Sequence, residues 1–294
     1  MKVRADCVPC YFKQVINTIR TAGYPEKEAG RIINEVLKII PDLDPEASPA
    51  ENSTIVLLEA YRAMGLRDPY EKAKKESNKM AEDLFAKVLA ISENSEDKLM
   101  TALKISVAGN IIDMGIMPDF DIDEAIGEIT ARDFDYSDYE EFRAALSVAE
   151  KVMILGDNSG EIVFDRILVN EIKRFKPGTE VTYVVKDAPI LNDVTPRDAL
   201  ETGMDRISRV ITNGAGYLGT ILHKSPKSFI REIEAADMII AKGQANYESL
   251  EGSTAAGSKT YFLLRIKCPI VAENAGLAFG NIVLIKNRAE DRPG

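Results

Sequence analysis

Along the first half of the chain, apolar residues recur at spacings of three and four. Over 26–40, Ile32, Ile33, Val36, Leu37 and Ile40 fall on one helical face. Similar stripes predict helices over 53–64, 70–90 and 95–114, with breaks at Pro41-Asp42-Leu43-Asp44-Pro45 and Met117-Pro118-Asp119. After Glu150 the pattern changes to short β-branched runs at 151–155, 180–185, 209–212, 237–241 and 281–285. The first four are separated by stretches long enough for a crossover helix, and 162–175 is itself helix-periodic. The expected fold class is therefore α/β: an N-terminal helical domain over 1–146, then a three-layer α/β/α Rossmann-like domain over 147–294 with a largely parallel sheet.

Composition narrows the chemistry. The 294 residues carry a formal net charge of −10, which argues against a nucleic-acid partner because phosphate neutralisation needs a basic surface. No run approaches the roughly 18 apolar residues of a membrane span. The opening MKVRADCVPC sets Asp6 and two cysteines where a secretory signal would be apolar, so a cytoplasmic protein is expected. The acidic stretch 119–141 reads as a solvated connector and helix face, with a partner surface as the alternative. With 1 His and 3 Cys, a catalytic metal must rest mainly on Asp, Glu and Asn oxygens, which favour Mg²⁺ or Mn²⁺. Three cysteines cannot all pair into disulfides, in keeping with a reducing compartment. Nothing in the sequence fixes an oligomeric state.

In a parallel sheet, ligands bind beyond the carboxyl ends of the strands, so the residues just after each run matter most. The first run closes on Gly156 and is followed by Asp157-Asn158-Ser159-Gly160-Glu161. Such a strand-to-helix turn offers backbone amides to an anion while Asp157 and Asn158 hold a hard cation beside it; helix capping is the competing reading. The second run leads to Asn192-Asp193, which joins Asp157 at the same sheet edge if the two strands are neighbours. An Asx turn is the alternative there. The fourth run is followed by Lys242-Gly243-Gln244-Ala245-Asn246-Tyr247, where Lys242 is placed to neutralise a phosphate. In the helical half, Asn110 and Asp113 share a face, either as an opposite wall of the site or as a tie between domains.

Two other matches carry less. The string Gly214-Ala215-Gly216-Tyr217-Leu218-Gly219 fits G-x-G-x-x-G, but the following strand lacks the acidic residue of a dinucleotide site at its end. His223 has no nucleophile elbow to accompany it. Cys7 and Cys10 have C-x-x-C spacing, and Cys268 follows far along the chain. They could form a second metal site, a structural zinc with a fourth ligand such as His223 or a carboxylate, a redox pair, or simple packing.

The strings GDNSGEIVFD (156–165), LNDVT (191–195) and KGQANYESL (242–250) together resemble the damage-control phosphatase family, formerly a domain of unknown function. DCVPC (6–10), AGNIIDMG (108–115) and LLRIKCPIVAENAG (263–276) resemble its archaeal-type branch with an N-terminal cysteine pair. The resemblance implies a helical region joined to an α/β domain. It also implies a metal-dependent phosphatase, supported by Mn²⁺, Co²⁺, Ni²⁺ or Mg²⁺, for damaged sugar phosphates or phosphopantetheine-like compounds. The family's metal ligands fall on Asp157, Asn158 and Asp193, and its phosphate-pocket segment on Lys242, Gly243, Asn246 and Tyr247. Ser159 and Gly160 are expected to contribute turn amides to the substrate, while Glu161, Asp113 or Asp193 could position a water. Expected catalytic residues are Asp157, Glu161, Asp193 and Lys242. The rivals are a non-catalytic metal- or nucleotide-binding regulator and a C-x-x-C zinc or redox module.

Overall fold

The computed structural model describes residues 1–108 and 132–288. Its helical half opens with α1 (Cys7–Thr21), α2 (Glu26–Ile39), α3 (Pro49–Met64), α4 (Glu71–Asn94) and α5 (Lys98–Ala108). Local chemistry sets the bounds of α3: Ser48 Oγ accepts the Glu51 amide at 3.2 Å, Pro49 occupies the first turn, and Gly65 stops the helix at φ +68°. Asn110 and Asp113 lie outside the described residues.

Among the described residues, seven strands form one sheet: β1 (Tyr136–Ser137), β2 (Lys151–Leu155), β3 (Glu180–Val185), β4 (Arg209–Thr212), β5 (Met238–Lys242), β6 (Thr260–Arg265) and β7 (Ile282–Lys286). Their order is β1-β7-β6-β5-β2-β3-β4, parallel everywhere except between β6 and β7. The order reverses at β2, with β3 and β4 to one side and β5 and β6 to the other. A crevice opens at such a switch point beyond the carboxyl ends. The expected mixed α/β fold is present. β5 and β7 begin one residue later than their apolar runs, and β6 goes unmarked by alternation because both of its faces are buried.

Residue parity sorts the sheet into its two faces. Val152, Ile154, Tyr183, Met238, Ile240, Tyr261 and Leu263 enter one core with the helix Glu161–Phe175 and residues of α4 and α5. Met153, Leu155, Ile239, Ala241, Phe262 and Leu264 enter the opposite core with the helices Lys227–Ala235, Gln244–Leu250 and Pro269–Ala275. A third core gathers α1, α2 and α3 around Ile190, Leu218 and Ile270, which come from loops and a helix of the α/β part. Among the described residues, no helix is long and apolar enough to cross a membrane.

Candidate functional site

The turn after β2 and the loop after β3 are neighbours because β2 pairs with β3. They are joined by two hydrogen bonds: Ser159 N–H donates to the Asn192 carbonyl at 2.8 Å, and Val194 N–H donates to the Asp157 carbonyl at 2.9 Å. This bridge sets Asn158 opposite Asp193. The loop is held from α3, where Tyr61 Oη accepts the Leu191 amide at 2.9 Å, and Leu191 has a positive φ of 44°. Gly243 approaches from the end of β5 at φ +78°. A Cβ there would stand 2.0 Å from Asp157 Oδ2, so only glycine lets the backbone pass this carboxylate.

Asp157, Asn158, Glu161, Asp193 and Gly243 line a cleft of about 880 Å³. Asn158 Nδ2 donates to Asp157 Oδ2 at 3.0 Å and to Glu161 Oε1 at 3.1 Å. The buried Asp193 Oδ2 has no hydrogen-bond partner, with the Lys186 ammonium 3.5 Å away. Burial, then Glu161 and Asp193, push the half-buried Asp157 carboxyl well above its usual range. Burial pushes Asp193 up to about 6 against the pull of Lys186. Carboxylates crowd here: Asp157, Glu161 and Asp193 meet in the cleft, Lys242 pairs with Glu161 and Asp165, Lys186 stands near Asp193, and the charges of Lys267 and Lys74 also act on Asp157 and Asp193. Among the described residues, no three His, Cys, Asp or Glu side chains gather to hold a metal. The oxygen set at the bridge is instead two carboxylates and an amide.

Several expected site residues lie elsewhere. Lys242 does not reach the cleft. Its parity matches Met238 and Ile240, so it runs under the helix Glu161–Phe175, where Nζ meets Glu161 Oε2 at 2.9 Å and Asp165 Oδ1 at 2.6 Å. Burial lowers that ammonium's proton affinity, but Asp165 and Glu161 outweigh it and raise the pKa. Ser159 and Gly160 are turned inward: Gly160 N–H donates to Asn78 Oδ1 at 2.7 Å, and Ser159 Oγ donates to Asp198 Oδ1 at 3.3 Å. Their amides are thus spent within the fold. Asn246 is buried, donating to the Lys242 carbonyl at 2.7 Å and accepting from Thr220 Oγ1 at 2.8 Å. Tyr247 packs edge-on against Phe262 in the core of the far face and accepts a hydrogen bond from Asn274.

Cys7, Cys10 and Cys268 do line the cleft, as free thiols. Of the alternatives open for them, the zinc reading finds no group of three or more His, Cys, Asp or Glu side chains placed to hold an ion among the described residues. His223 is committed to Glu51 at 3.0 Å and is not on the cleft wall. Burial raises the Cys7 and Cys10 thiols, which disfavours the reactive thiolate.

The cleft also contains residues that sequence reasoning missed. Lys267 and Arg265 follow or end β6 and are exposed on its wall, and the positive charge of Lys267 acts on Asp157. Glu248 is buried on the same wall, where burial pushes its carboxyl up to about 7.

Residues 3–283 match the model of the damage-control phosphatase ARMT1-like domain. A damage-control phosphatase of Archaeoglobus fulgidus is 32% identical over 96% of this chain and 98% of its own length. One from Pyrococcus horikoshii is 30% identical over 98% of this chain and 99% of its own length. The crystal structure of a DUF89 family protein from Pyrococcus horikoshii superposes with a TM-score of 0.89 at 28% identity, covering 98% of this chain and 100% of that one. Agreement of sequence and architecture over nearly the whole length makes this chain a member of the damage-control phosphatase ARMT1-like family.

Proposed function

We propose that the protein is a divalent-metal-dependent phosphomonoesterase for phosphorylated small metabolites, with damaged sugar phosphates and phosphopantetheine-like compounds as the substrate classes. The observation that carries this reading is the gathering of Asp157, Asn158 and Asp193 on the cleft where the turn after β2 bridges to the loop after β3. Asp193 Oδ2, which accepts no hydrogen bond, and the raised affinity of Asp157 and Asp193 for protons point the same way, since both favour an added positive charge. Asp157, Asn158 and Asp193 offer hard oxygens suited to Mg²⁺, Mn²⁺, Co²⁺ or Ni²⁺. When bound, such an ion polarises phosphoryl oxygens and makes a bound water more acidic.

The protein's own groups supply the rest. Lys267, on the open wall, takes the phosphate-neutralising role expected of Lys242. Glu161 is committed to Lys242 and Asn158, which suits it to orienting rather than proton transfer. Pro49, Ala50 and Ile270 give the organic part of the substrate an apolar wall.

The test is phosphate release from a panel of sugar phosphates and phosphopantetheine-like compounds, after chelation and then with each metal restored. Release that requires metal and vanishes in Asp157→Asn is expected. Release that persists in Asp157→Asn refutes the assignment, and metal binding without turnover of any compound identifies a non-catalytic binding protein.

A further inference from the structure

Behind the cleft floor, Asp165, Lys242, Tyr183 and Ser106 form a fully buried polar cluster that reaches the cleft through Glu161. Asp165 stands one helical turn after Glu161, so both carboxylates reach Lys242 from the same helix face. Lys242 Nζ donates to Asp165 Oδ1 at 2.6 Å and Oδ2 at 2.9 Å, and to Glu161 Oε2 at 2.9 Å. Asp165 in turn accepts from Tyr183 Oη at 2.6 Å and from Ser106 Oγ at 2.6 Å. Tyr183 extends from β3 on the parity that faces this helix, and its ring lies so close to Gly156 that a Cβ there would meet it at 2.8 Å. Each of these hydrogen bonds runs toward a carboxylate, and Glu161 also accepts from Asn158.

We propose that Asp165, Lys242 and Tyr183 are positioning residues that set the orientation of the Asn158 side-chain amide through Glu161. The inference rests on the metal-site reading above. An asparagine amide has a donor end and an acceptor end, and a carboxylate accepts only. With Glu161 Oε1 on one side and Asp157 Oδ2 on the other, Asn158 must turn its nitrogen to both, which commits the opposite end, Oδ1, to the role of metal ligand. Lys242 fixes Glu161 in the rotamer that enforces this choice, and Asp165 with its two hydroxyl donors fixes Lys242. Such outer partners of a metal ligand typically contribute about 10–100-fold in affinity.

The experiment titrates Mn²⁺ by electron paramagnetic resonance in the full chain, comparing Asp165→Asn in two backgrounds. In the otherwise native protein, Asp165→Asn is expected to weaken Mn²⁺ at least about tenfold. In an Asn158→Asp background the same change should cost less than about twofold, because a carboxylate at 158 has two equivalent oxygens and no orientation to set. Equal losses in both backgrounds, or no loss in the first, overturn the proposal, since a general softening of the fold adds independently. Should Asp165→Asn fail to fold, Tyr183→Phe removes a single donor from Asp165. It should weaken Mn²⁺ about threefold in the native background alone, and unchanged affinity there overturns the proposal. Native protein that binds no Mn²⁺ removes the metal-site reading and the relay with it. Native binding with unaltered variants removes the relay only.

Discussion

Replacing Gly243 by Ala tests whether the approach of β5 to Asp157 matters to the chemistry. Two effects act at once. The residue has φ +78°, a region where a Cβ costs about 1–3 kcal/mol. The new Cβ would also stand 2.0 Å from Asp157 Oδ2 and 2.2 Å from its Cγ, against about 3.4 Å for an ordinary contact, so the carboxylate must retreat by about 1.4 Å. A misplacement of roughly 1 Å in a reacting group costs on the order of 10²-fold in rate. Gly252 provides the control: its φ is +73°, but a Cβ there meets nothing within 4 Å. Both Ala variants should lose a few degrees of Tm from backbone strain. Metal-dependent phosphate release should fall about a hundredfold in Gly243→Ala and stay at the native rate in Gly252→Ala. Native activity in Gly243→Ala, or equal losses in the two variants, would refute the reasoning, because strain alone would then account for the result.

Lys267→Ala should raise KM for phosphorylated substrates by about 10-fold, the loss of roughly one charge-assisted hydrogen bond. An unchanged KM would remove Lys267 from the phosphate site. Glu248 predicts a pH effect of definite sign. Its carboxyl is raised to about 7 in the fold from an ordinary 4.5, so the folded state keeps a proton that the unfolded state releases. Its contribution is therefore favourable at low pH and is lost as pH rises from about 4.5 to about 7, by up to roughly 3 kcal/mol. Urea midpoints at pH 5 and pH 8 should fall further for the native protein than for Glu248→Gln, and parallel changes would contradict the assignment.

Much of the site was legible because the rule that ligands sit beyond strand ends needs only the strands. Asp157, Asn158 and Asp193 follow two runs whose bounds match β2 and β3 residue for residue, and the pairing of those strands brings them together. Lys242 obeyed the same rule but misled, since it is the last residue of β5 rather than the first beyond it, and its parity sends it beneath a helix. Lys267 was missed for the converse reason. β6 is buried on both faces, so its residues show no alternation, and a lysine two places beyond an unmarked strand carries no flag. The inward turn of Ser159 and Gly160 had no local signal at all. It depends on Asn78 and Asp198, remote residues whose arrival only the tertiary fold determines. Tyr247 was an aromatic at helical spacing that proved to be packing.

The core shared by α1, α2 and α3 with Ile190, Leu218 and Ile270 has a bearing on how the molecule is made. Those helices are synthesised before the α/β part, and the last of these apolar partners, Ile270, follows the end of α3 by about two hundred residues. At about 5–20 residues per second, the part of this core that the α/β residues cover waits for roughly 10–40 s, while α1, α2 and α3 can already pack on one another. The same delay applies to the cleft, whose wall includes residues from α1 and α3 as well as Ile270. The nascent chain therefore spends that interval with part of its helical core exposed and the cleft wall incomplete, and chaperone dependence should concentrate in those helices.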